Sequence, residues 1–264
     1  MRFVVCVKLT PDTEELNEMQ PEAISSGDLG VTMVLNPWDE FAVEEALLLQ
    51  ERVDAETIAI TVGNADAVEA LKRSVAMGIE ETMLVSDPVF EGSDAWGKAH
   101  ILAQAIRRLG DFDLVLTGRQ SVDGSSGLVP AGLAVMLGIP FVSQVAKIVE
   151  IVPGSATVRR AMEGAMQTVR VKLPAVISVS KEINEPRYPN FMGVRKASRL
   201  QYPPVPASQI TGLDLTRVGA KAASVQWIDL RKPPARTGKC EFIQGAAADQ
   251  AATLVEKLIA EKVI

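Results

Sequence analysis

Gly118–Val129, GRQSVDGSSGLV, is the stretch whose residue types are best suited to holding a ligand. Gly118, Arg119, Gln120 and Ser121 leave an apolar run, and Val122 and Asp123 lead into four small residues, Gly124, Ser125, Ser126 and Gly127. Leu128 and Val129 then open an apolar helical pattern. Small residues let the backbone approach a bound group, and unpaired N–H groups at a helix start favour an anion such as phosphate. The run leaves the carboxyl end of a strand, where open α/β sheets place their ligands. The same composition suits a plain strand-to-helix loop with Asp123 or Ser126 as the cap. It is not a Walker loop, because the Gly-Lys-Ser/Thr ending is missing, and it carries no GxGxxG fingerprint.

A second candidate is NPWD, formed by Asn36, Pro37, Trp38 and Asp39. Asn36 as a cap and Pro37 in a first turn account for a helix start. Alternatively, Asn36 reads a base or a ribose and Trp38 offers its ring to a ring system. Strand tips near Cys6, Val62 (followed by Gly63) and Gly118 converge on one end of the sheet, where a single pocket would form. Cys6 itself reads as a small buried apolar residue. Glu44 and Glu45 read as a solvated helix face, and the lone His100 as an ordinary mid-helix residue. No nucleophile with an adjacent base can be assembled, so no catalytic residue is expected. One histidine and two distant cysteines, Cys6 and Cys240, exclude the usual metal ligand sets and a disulfide framework. A pocket without acid–base machinery points to binding or to cofactor chemistry.

The elements that must position these residues alternate along the chain. Phe3–Lys8, Thr57–Val62, Thr82–Ser86 and Asp113–Thr117 read as buried strands, separated by helices over Trp38–Arg52, Ala65–Met77 and Ser93–Leu109. A helix over Leu128–Leu137 follows. This rhythm predicts an α/β fold: a mostly parallel twisted sheet with helices on both faces. Val145–Ile151, Ala156–Met162 and Met166–Lys172 read as an antiparallel ribbon, and Ala175–Ser180 returns to the sheet. Beyond Asn184, five prolines between positions 186 and 206 argue for an extended arm, ending in a docking helix near 246–262. The expected division is therefore 1–183 as a nucleotide-binding domain and 184–264 as loop, arm and docking helix. A net charge of −6 disfavours nucleic acid as a bulk partner. No apolar run of about 20 residues is present for membrane insertion. The N-terminus runs straight into a strand without a secretory pattern. These features fit a soluble, cytoplasmic protein.

Several stretches in order along the chain resemble the beta (small) subunit of electron transfer flavoproteins. They are VCVKLTPDT, LNPWDEFAVEEAL, MGIEETMLVSD, GRQSVDGSSGLVPAGLAVMLGIP, LPAVISV, INEPRYPNFMGVRKA and PPARTG, and NEPRYP followed by a basic run is the most specific. The resemblance implies an adenine nucleotide alpha hydrolase-like domain and a heterodimer whose larger alpha subunit carries FAD. It also implies AMP as a structural nucleotide in the beta subunit, or a second FAD there in electron-bifurcating members. Carried over position by position, the nucleotide contacts fall on Cys6, Asn36–Asp39, Val62 and Gly118–Val129. Phe191 takes the place of the apolar anchor that recognises flavin dehydrogenases, flanked by Arg195, Lys196 and Arg199. Electrons would pass on to a membrane quinone reductase. Two departures stand out. Thr13 occupies a position where the family often has an aromatic, and Leu128–Val129 replaces a pair offering hydroxyl or amide groups to phosphate. With Asp123–Gly124, the second departure leans towards the flavin-binding type. A nucleotide-sensing domain of the stress-protein type is the reading from another class, but it gives no reason for the arm after Asn184.

Overall fold

The computed structural model describes residues 1–15, 30–225 and 240–264. PPARTG, at 233–238, lies outside them. The chain forms two compact units, Met1–Asp229 and Leu230–Ile264.

In the first unit, β1 (Arg2–Cys6) is the middle strand of the parallel part of the sheet. Before the first long helix the chain makes a small antiparallel pair, β2 (Leu9–Pro11) with β3 (Met33–Leu35). Then follow α1 (Pro37–Arg52), β4 (Glu56–Val62), α2 (Val68–Met77), β5 (Glu81–Val85) and α3 (Ala95–Arg108). β6 (Leu114–Gly118), α4 (Leu128–Leu137) and the ribbon β7 (Phe141–Val152), β8 (Ser155–Met162) and β9 (Ala165–Lys172) come next. The unit continues with β10 (Ala175–Val179), α5 (Phe191–Arg199) and a two-residue strand, β11 (Pro204–Val205). Among the described residues the main sheet has nine strands in the order β11-β5-β4-β1-β6-β10-β7-β8-β9. Its pairs are parallel from β11 to β7 and antiparallel from β7 to β9.

Alternation along β1 builds both cores at once. Phe3, Val5 and Val7 pack with Ala42, Val43 and Leu47 of α1 and Leu71 of α2. Val4 and Cys6 pack on the opposite face with Ile101 and Ala105 of α3 and Leu133 of α4. Helices thus cover both faces, as the sequence predicts. The chain moves from β1 outward through β4 and β5, then returns to place β6 on the other side of β1. This reversal opens a crevice at the carboxyl ends of β1 and β6.

One stretch differs from the expectation of an extended arm. Phe191–Arg199 is helical, because the Asn190 side chain accepts the Gly193 N–H at 2.7 Å and caps the start. The prolines at 186, 189, 203, 204 and 206 flank this helix and do not interrupt it. The second unit contains α6 (Ala247–Ala260), close to the expected helix.

Candidate functional site

The NPWD turn braces the crevice. Asn36 does not cap α1 with its side chain. Its Nδ2 instead donates to the Gln120 carbonyl at 2.9 Å, and its Oδ1 accepts the Val122 N–H at 3.2 Å. Asp39 Oδ2 accepts the Lys8 N–H at 2.9 Å, and Oδ1 accepts the Gly118 N–H at 3.1 Å. One buried carboxylate therefore ties the ends of β1 and β6 to α1. Burial pushes its pKa up to about 7, against the Asn36 side chain and the Lys8 and Gly118 N–H groups, which pull it down. Gly118 is required for this approach: a Cβ there would lie 2.5 Å from Asp39 Oδ1 and 2.6 Å from the Trp38 carbonyl carbon. Trp38 already has partners, with the Arg119 guanidinium 4.2 Å above its ring and Phe41 at 6.3 Å between centroids. Pro37 occupies the first turn, as expected.

The loop itself takes left-handed backbone at Ser125 (φ 49°) and Gly127 (φ 60°), directly before α4. Gly127 is the cap residue and supplies no side chain; Ser126 Oγ accepts the Leu128 N–H at 3.4 Å, with Val129 next in the helix. A Cβ added at Gly124 would make only an ordinary contact, with Ser121 Oγ at 3.6 Å. Asp123 does not cap the helix. Its oxygens lie 2.6 and 2.5 Å from the Lys8 ammonium, which bridges the crevice between β1 and the loop. Burial opposes ionisation of Asp123, but the charge and hydrogen bonds of Lys8 hold its pKa below the usual value. Cys6 is buried beside Thr117 in the β1–β6 register, and burial drives its thiol pKa far up, so it is inert. The Thr117 and Thr61 hydroxyls, at the tips of β6 and β4, are buried without a hydrogen-bond partner.

A cleft of about 780 Å³ opens at the tips of β1, β4 and β5. Lys8, Met33, Val62, Asn64, Phe90 and Lys98 are among its walls. Of the residues proposed from sequence as cofactor contacts, Val62 lines it, with Gly63 beside it; Cys6, the NPWD turn and the Gly118–Val129 loop are not among its walls, and the turn and loop meet each other through the Asn36 bonds to Gln120 and Val122. Asn64, Ser86 and Lys98 were missed because no local motif marks them. The available signal was their position one or two residues past a strand tip, or one turn into a helix.

Phe191 is 80% exposed at the start of α5, and Arg195, Lys196 and Arg199 are exposed along it. Gly193 lets α5 seat on the end of α2, since a Cβ would collide with the Ala76 carbonyl. The segment before α5 is fastened to α1. Arg187 forms a two-pronged pair with Glu44 (2.8 and 2.9 Å) and also meets Glu51 at 2.9 Å. Asn184 donates to the Phe41 carbonyl and to Glu45, both at 3.1 Å. Glu44 and Glu45 are therefore buried and partnered, which corrects the expectation of a solvated face. Burial raises the pKa of Glu45, while its bond from Asn184 and the charge of Arg52 lower it.

The chain matches the electron transfer flavoprotein domain family over residues 27–206. It is 35% identical, over the full length of both chains, to the caffeyl-CoA reductase-Etf complex subunit CarD of Acetobacterium woodii. Over the full length of both it is 32% identical to the electron transfer flavoprotein subunit beta of Thermoanaerobacterium thermosaccharolyticum. The corresponding subunit of Bacillus subtilis is 33% identical over 99% of this chain and 98% of its own. The chain belongs to the electron transfer flavoprotein beta-subunit family. Electron transfer as part of a flavoprotein, with an alpha subunit as partner, follows from that membership. No cluster of metal-ligating side chains occurs among the described residues of this beta subunit. Nor is any helix there long and apolar enough to cross a membrane.

Proposed function

We propose that this beta subunit holds AMP at the crevice and cleft, and pairs with an alpha subunit carrying FAD. The pair shuttles electrons from flavin dehydrogenases to a quinone reductase, in the cytoplasm. The observation that carries the nucleotide reading is the meeting of three strand tips in one cleft large enough for a nucleotide, with no histidine or cysteine among its described walls. Such a site holds a ligand without transforming it. The proposed contacts are Asn36–Asp39, Val62 and Gly118–Val129; Cys6 contributes by packing. FAD on the alpha partner supplies the redox chemistry. Phe191, exposed among three cations on a braced helix, supports the docking reading. Electron-transfer encounters are small and brief, and charge mainly raises their rate.

The test is purification with the alpha subunit, followed by a flavin count and acid release of bound nucleotide. One FAD and one AMP per heterodimer is the expected result; a colourless monomer overturns it. A second reading, in which this chain binds a second FAD and the complex bifurcates electrons from NADH, is favoured by two observations. The cleft is larger than a nucleoside monophosphate fills, and Leu128–Val129 offers no side-chain hydrogen bond to phosphate. Two FAD and no AMP decides for it.

A further inference from the structure

Lys98 sits one turn into α3 and lines the cleft. Among the described residues no carboxylate or carbonyl pairs with its ammonium, although it is only partly exposed. Its placement is unfavourable on three counts. The group is desolvated, the Lys8 ammonium is nearby, and the amino end of a helix repels a cation by about 0.3–1 kcal/mol. Burial, and then Lys8, accordingly lower its pKa, while Asp123 and Asp94 act in the opposite direction. Among the described residues, the nearby carboxylates other than Glu91 accept hydrogen bonds from other groups. Asp123 is held by Lys8, Asp94 accepts the Gly97 and Ser224 N–H groups, and Asp87 accepts those of Val89 and Ala207. Asp66 accepts from Asn64, and Glu91 is exposed to solvent. Lys8 and Lys98, with Asp123 on Lys8, thus form a local group of two cations and one anion at a cleft large enough for a nucleotide, whose walls also carry Asp66, Asp87 and Glu91.

We propose that Lys98 holds a phosphate group of the ligand in this cleft, with the Lys8–Asp123 pair fixing the phosphate's position. This rests on the nucleotide reading above and adds to it a residue that no local motif marks. An anion at Lys98 balances the net positive charge of the Lys8–Asp123–Lys98 group and meets the helix end with the favourable sign.

The test uses the full heterodimer, stripped of bound nucleotide, and calorimetric binding of AMP, adenosine and inorganic pyrophosphate to wild type, Lys98→Gln and Lys98→Arg. Lys98→Gln should weaken AMP and pyrophosphate about tenfold and leave adenosine unchanged, and Lys98→Arg should recover most of the loss. Without ligand, Lys98→Gln should unfold at the same temperature as wild type or higher, since it removes an unpaired desolvated charge; a role in stabilising the fold would lower it. Equal AMP and pyrophosphate binding by wild type and Lys98→Gln overturns the proposal, as does a wild type that binds neither anion. Should pyrophosphate alone bind and weaken tenfold in Lys98→Gln, the phosphate site stands and the nucleotide reading falls.

Discussion

Replacing Arg187 with alanine leaves Glu44, 4% exposed, without the guanidinium that now contacts both of its oxygens. Removing one partner of a fully buried pair costs about 3–5 kcal/mol, because the remaining charge is uncompensated. The Arg187 side chain is 37% exposed, so water enters the vacated space and solvates part of the carboxylate. The expected loss is therefore about 2–3 kcal/mol, still above the ~0–1 kcal/mol of a surface pair. For a unit of this size that corresponds to a fall in Tm of about 4–12 °C. Thermal unfolding followed by circular dichroism measures it, with Glu44→Gln and the double variant completing a cycle. The cycle should show coupling of more than about 1 kcal/mol. Hydrogen exchange should also quicken in α5, which this pair helps to hold. A Tm change below about 2 °C, or additive effects in the cycle, would refute the reasoning and make Arg187 an ordinary surface cation.

Three further outcomes follow from the geometry. Gly118→Ala forces a Cβ against Asp39 and the Trp38 backbone, so about 3 kcal/mol or more is lost, read as a lower denaturation midpoint at unchanged m-value. For Asp39, the folded pKa near 7 lies above the unfolded value near 3.8, so the folded state binds the extra proton between them. Stability therefore falls as pH rises from about 4 to about 7, by up to about 4 kcal/mol, and is flat above; Asp39→Asn should flatten the profile, and an unchanged slope would assign it to other groups. Phe191→Ala should slow reduction by dehydrogenases in stopped-flow assays at normal flavin content, and Gly193→Ala, which pushes α5 off Ala76, should do so through a displaced helix. Wild-type rates in both would remove α5 from the docking surface.

Much of this architecture is legible in the chain because the strands are apolar runs and the helices carry apolar stripes. Leu128–Leu137 matches its expected span, bounded by Gly127 and Gly138. The β2–β3 pair was missed since three-residue strands show no usable period. α5 was missed because its start is signalled by Asn190 alone amid prolines, which bias a local reading towards extended chain. Asn36 and Glu44–Glu45 misled for a different reason: their partners, Gln120, Val122, Asn184 and Arg187, lie more than 80 positions away. No short window connects them. The cleft walls share this property, coming from separate strand ends that meet only in the folded sheet.

α1 carries two unrelated duties at its two ends. Its first turn grips the crevice through Asn36 and Asp39, and its later turns grip the segment before α5 through Glu44, Glu45 and Glu51. Each residue inserted between these grips would turn one end against the other by about 100° and lengthen the helix by about 1.5 Å. A single insertion or deletion would put both sets of acceptors out of phase with their donors at the same time. Point changes in α1 can be absorbed one at a time, but its length cannot drift, so the spacing between NPWD and the glutamates acts as a gauge shared by the strand-tip crevice and the α5 segment.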